Sequence, residues 1–220
     1  VQLTYLLFHS KVPFYFYYAL LMGVYLFSMV GIMDLIFDLR RSKTRLLVFM
    51  AIFLVAHSAA LRFLLSRLVS PDSTFLFEGG VAGQRILGQV FQPSTFGVLL
   101  VLSITLFLRK HPFWSLVPIA VAVTFHPVYL LGGAFLTIAY MWIIFRTEHD
   151  LKRPLFLGSA SLLLVAPTLI YTITIFSNSS RILAQEALYV LVNIRNPQHA
   201  LVSAWLNWTV LIQALVLLAG

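Results

Sequence analysis

The stretch FWSLVPIAVAVTFHPVYLLGGAFLTIAYMWIIF, residues 113–145, decides how this chain folds. It is apolar almost throughout, and its one side chain that titrates near neutrality is His126. As one helix, at about 1.5 Å per residue, it would be roughly 50 Å long. A bilayer's hydrocarbon core is about 30 Å thick and takes about 20 residues. One crossing is too short for the stretch, and two full crossings are too long. The sequence therefore predicts a short helix, a break at His126-Pro127, and a fuller helix running back. Pro127 cannot donate a backbone hydrogen bond and disfavours helix at the residue before it.

The flanks give an independent test. Arg109 and Lys110 precede the stretch; Arg146, Lys152 and Arg153 follow it. Crossing twice puts both basic groups on one side of the membrane, the cytoplasmic side by the positive-inside rule. The loop 38–45, with Arg40, Arg41, Lys43 and Arg45, joins them there. Residues 38–45, 109–112 and 146–153 are thus the expected cytoplasmic loops of an integral protein of a bacterial cytoplasmic membrane.

Composition agrees. Hydrophobic residues make up 60% of the chain and charged residues 10%; soluble domains carry about 25% charged residues. Mean hydropathy is +0.94. The formal charge of +8 sits mainly in short loops between apolar runs, so it does not indicate nucleic acid. Cysteine is absent, which removes disulfides and thiolate chemistry. The expected fold is all-α: a polytopic bundle forming a single domain over 1–220, with about seven crossings and amphipathic extracytoplasmic segments. The expected spans are about 14–37, 46–65, 95–108, the two arms of the hairpin, 154–176, and a last span after Trp208. The chain opens on Val1 and closes on LIQALVLLAG, so it reads as a piece of a longer polytopic protein.

This topology gathers polar residues on the outer face. The segment 66–94 brings Glu78, Gln84, Arg85, Gln89 and Gln92, and a short helix is expected around 86–91. The hairpin brings His126. The segment 177–207 brings Gln185, Glu186, Arg195, Asn196, Gln198 and His199, with a helix over 182–192 capped by Ser179 or Ser180. Arg85 and Arg195 suit an anionic group such as phosphate. His126 and His199 can move a proton near neutral pH. The amides suit hydroxyl-rich ligands. The plainer readings stand beside these. His126 can simply cap the break, and the arginines can anchor the interface or pair with Glu78 and Glu186. His57 suits a helix–helix hydrogen bond, and Asp34 an interfacial position or proton coupling. No histidine spacing suits a metal centre.

Two segments, GVAGQRILGQVFQPSTFG at 80–97 and RNPQH at 195–199, resemble uncharacterised bacterial membrane proteins shaped like the multi-spanning glycosyltransferases of the C superfamily. The second is similar to an Arg-x-Pro-His-His signature, with Gln198 in place of its first histidine. The resemblance implies an outward pocket lined by Gln84, Gln92, Pro93, His126, Arg195 and His199. It implies a polyprenyl-phosphate-linked sugar as donor and a glycan or protein as acceptor. His126, His199 and Glu78 are then the candidate catalytic residues. Gln84, Arg85, Gln92, Arg195 and Gln198 are the candidate substrate-binding residues. No cofactor is implied; a cation or metal must steady the departing phosphate, and an arginine can serve. The alternatives are a transporter or flippase using Asp34, His57 and His126, and a membrane assembly subunit.

Overall fold

The computed structural model describes residues 12–68, 93–177, 180–195, 197–206 and 208–219. Every regular element among them is helical. Helix α1 is Val12–Phe37, and a 3-10 turn Leu39–Arg41 leads to α2, Lys43–Ala56, and α3, Ala59–Leu68. A second 3-10 turn, Pro93–Gly97, opens α4, Val98–Leu108. Helices α5, Leu116–Phe125, α6, Tyr129–Glu148, and α7, Lys152–Ser177, follow. Helix α8 is Arg181–Tyr189, continued by a wide π turn, Val190–Arg195. Two one-turn helices, α9 (Pro197–Ala200) and α10 (Val202–Trp205), precede α11, Trp208–Ala219.

The expected count of seven crossings is not what the chain forms. Among the described residues three helices are long and apolar enough to span a bilayer: Phe14–Phe37, Tyr129–Glu148 and Lys152–Ile175. The run expected to cross at 46–65 is cut in two, for a local reason. The Ser58 hydroxyl donates to the Val55 carbonyl at 2.7 Å and accepts the Leu61 N–H at 3.1 Å. It therefore ends one helix and caps the next. His57 adds its own bond, Nδ1 to the Phe53 carbonyl at 2.8 Å, and stacks on the Phe53 ring. Helices α4 and α5, of 11 and 10 residues, are each only about 15–17 Å long. Helix α11, where the seventh crossing was expected, has 12 residues. Apolar composition alone does not separate a full crossing from such half-length helices.

The break in the 113–145 stretch falls at His126. Helix α5 ends on Phe125, and His126 is extended, with φ −150° and ψ 108°. Its N–H still bonds the Ala122 carbonyl, and its carbonyl accepts the Tyr129 N–H. Helix α6 then returns against α5. Gly133 allows the approach: a Cβ there would lie 2.7 Å from Ile119 Cγ2.

The chain divides into two compact units. Residues 1–51 and 86–173 form one; 52–85 and 174–220 form the other. In the first unit α1 packs along α4, with Leu21 and Val98 buried together. Thr105 Oγ1 donates to the Ser28 carbonyl at 3.1 Å. A second core joins Leu116, Ile119 and Val123 of α5 to Tyr140 and Ile144 of α6 and Leu157 of α7. The Tyr140 ring stacks on Phe107 with centroids 4.0 Å apart, and its hydroxyl shares a 3.0 Å bond with Ser103. Leu157 is fully enclosed. Leu157→Ala should cost about 2–4 kcal/mol, read as an earlier unfolding midpoint in mixed micelles.

The first unit also collects the basic loops at one end. Arg109 reaches Asp34 of α1, Phe113 meets Phe156 of α7 at 5.4 Å, and Arg153 pairs with Glu148. The loops at 38–45, 109–112 and 146–153 therefore share the end opposite the His126 break. In the second unit, Ser180 Oγ accepts the Leu183 N–H at 3.3 Å and caps α8. This is one of the two caps the sequence offered.

Candidate functional site

Helices α6 and α7 run antiparallel and touch through small side chains. Thr137 Oγ1 and Ser161 Oγ share a 3.0 Å hydrogen bond, and Thr137 also donates to the Gly133 carbonyl at 2.9 Å. One turn nearer the basic end, Gly158 faces Met141: a Cβ on Gly158 would lie 2.7 Å from the Met141 sulfur. Where the seam widens it forms a groove of about 710 Å³. Thr137 faces Ser161 and Met141 faces Gly158 across it, and Leu130 and Gly133 of α6 and Val165 and Leu169 of α7 line it further on. Ile119 and Val123 of α5 complete the lining. Ligand pockets commonly fall at about 300–1,000 Å³.

The groove's chemistry is simple. Its lining is aliphatic apart from Thr137, Ser159, Ser161 and the sulfur of Met141. Thr137 and Ser161 are buried and hydrogen-bonded to each other, so they demand nothing from an occupant. Leu131, Ile138, Leu155 and Leu162 at the rim are exposed, and they sit on helices that are apolar enough to span a bilayer. From Leu130 to Met141 the groove is about 16 Å long, about half the roughly 30 Å hydrocarbon core. It begins in the first turn of α6, where the Leu130 N–H bonds the Pro127 carbonyl directly after the break.

His126 is half-buried at that turn, edge-on to the Tyr129 ring at 6.0 Å. Tyr129 in turn lies against Gly97, its hydroxyl 3.0 Å from where a Cβ would stand. Arg195 is exposed at the end of the π turn, in the second unit, whereas His126 belongs to the first. Glu78, Gln84, Arg85 and Gln92 lie outside the described residues, as does the helix expected around 86–91. The backbone of Pro93, Gln198 and His199 is helical. Among the described residues no three His, Asp or Glu side chains come together to hold a metal ion.

The residues invoked for transport have structural partners. His57 is bonded to its own helix, and Asp34 accepts from two arginines at a helix end. The groove itself had a signal that composition hides. Gly133 and Thr137 of α6 stand four apart, and GSAS at 158–161 is a run of small residues on α7, the kind of side chain that lets membrane helices approach closely.

Comparison with protein-family models, with curated proteins and with solved structures gives no match. The fold and groove define the class: an all-α integral membrane protein whose long apolar helices associate with a lipid bilayer.

Proposed function

We propose that this chain handles a long-chain lipid substrate in the α6–α7 groove, and that the substrate is a polyprenyl-phosphate-linked sugar. The carrying observation is the groove's depth and polarity. It is aliphatic, opens from helices apolar enough to face lipid, and extends through about one leaflet from the His126 turn. A hydrocarbon tail fits that description, and a polar head group would then sit at the turn. There His126 takes the proton of an acceptor hydroxyl as its oxygen bonds the anomeric carbon. The bond from that carbon to the phosphate oxygen breaks, and its electron pair leaves on the phosphate. The His126 end is opposite the basic loops, which supports an extracytoplasmic head group under the positive-inside rule.

Ala134 and Ser159 line the groove and are exposed. Ala134→Phe with Ser159→Phe fills it without disturbing the buried core. In nanodiscs the double variant should lose roughly tenfold or more in affinity for a polyprenyl-phosphate sugar, with an unchanged unfolding midpoint. His126→Ala should bind the donor as the parent does and fail to transfer the sugar. Undiminished donor binding by the filled variant would overturn the reading.

A further inference from the structure

At the basic end of the first unit, one carboxylate answers to two guanidinium groups. Asp34 Oδ2 lies 3.2 Å from Arg40 Nε and 3.5 Å from Arg109 Nη2. Its other oxygen is already taken by the Arg40 backbone N–H at 2.8 Å. One negative charge therefore holds two positive ones. The surroundings add to the imbalance. Arg41, Lys43, Arg45 and Lys110 are close in sequence, and Asp38 is the only further acid in 34–45 and 109–110. That makes six cationic side chains against two carboxylates.

The geometry keeps this charge accessible. The Arg40 side chain is 53% exposed and that of Arg109 26%. The Arg109 guanidinium packs against α1 at Gly31, where a Cβ would stand in ordinary contact with its Nε at 3.5 Å. That Nε is buried and makes no hydrogen bond among the described residues. The guanidinium is thus held in place by α1 yet poorly neutralised. A fixed arginine fork suits phosphate oxygens, which accept two parallel N–H bonds. The position, at the end of a spanning helix, is where lipid phosphates lie.

We propose that Arg40 and Arg109 together bind a phosphate group at this end of the protein, with Asp34 orienting both. The phosphate comes either from the head group of an anionic lipid or from free phosphate. The site is separate from the α6–α7 groove and does not depend on what the groove holds.

The test uses the full chain in phosphatidylcholine nanodiscs. One arm adds phosphatidylglycerol and reads its enrichment by native mass spectrometry of the released protein. The other adds inorganic phosphate and reads the thermal midpoint. Phosphatidylglycerol should be retained over phosphatidylcholine, and Arg40→Gln should weaken retention roughly fivefold. Arg109→Lys, which keeps the charge and the pairing with Asp34 but loses the fork, should also weaken it. Lys152→Gln, at the same end and away from Asp34, should leave it unchanged. A midpoint raised by inorganic phosphate identifies free phosphate as the ligand; a response to phosphatidylglycerol alone identifies the lipid head group. No response in either arm, or equal losses for Arg40→Gln and Lys152→Gln, would overturn the proposal.

Discussion

Gly31→Val should lower stability by about 1–3 kcal/mol, measured as the unfolding free energy in mixed micelles. The Cβ alone would stand 2.5 Å from Thr105 Cγ2, far inside van der Waals contact. Relief cannot come from rotating Thr105. Its Oγ1 donates to Ser28 at 3.1 Å on α1 and to Val101 at 2.9 Å on its own helix. Turning the side chain breaks both bonds within a fully buried contact. The remaining route is separation of α1 from α4, which loosens the core around Leu21 and Val98. In a bilayer, lipid tails are as apolar as the side chains, so association depends on close packing. Two comparisons sharpen the expectation. Gly158→Ala presses on the far end of the flexible Met141 side chain and should cost less. Gly23→Ala meets nothing within 4 Å and should gain up to about 1 kcal/mol from helix propensity. Equal losses at the three glycines would show that helix contacts do not set this chain's stability.

Those glycines also mark what the sequence could and could not say. By type, Gly23 and Gly31 look alike on α1, and both suit a packed interface. Only the partner helix distinguishes them, because Thr105 lies far along the chain. The 113–145 stretch was legible because its signal is local. Its length excludes one unbroken helix, and Pro127 dictates where the first one stops. The number of crossings was not legible, because an apolar run reads the same whether it spans the bilayer or half of it. Ser58 decides the matter for the run at 46–65, and a lone serine in apolar surroundings has no distinctive pattern. The groove was missed for a related reason. It is made of glycine, alanine and hydroxyl side chains, and attention to titrating residues passes over them. The break at His126 was legible because a histidine beside proline in an apolar run stands out.

Asp34→Asn should cost about 2 kcal/mol, more than Arg40→Gln, which should cost no more than about 1 kcal/mol. The two substitutions remove the same contact from opposite sides, so a pairwise view would rank them equal. Burial separates them. The Arg40 side chain is about half exposed, and water can replace its partner. Asp34 is only 15% exposed and also answers to Arg109, whose Nε is already without a hydrogen bond. Neutralising Asp34 leaves the Arg109 charge partly desolvated with no anion beside it. Full burial would raise the cost to about 3–5 kcal/mol, and the residual exposure of both side chains reduces it. A double-mutant cycle isolates the cause. In the Asp34→Asn background, Arg109→Gln should be nearly neutral or stabilising, because it removes the orphaned charge. In the parent it should destabilise. If the two losses from Arg109→Gln were equal, Asp34 and Arg109 would be energetically independent, and the junction of α1 with α4 would rest on the Gly31–Thr105 contact, the Thr105–Ser28 bond and the core around Leu21 and Val98.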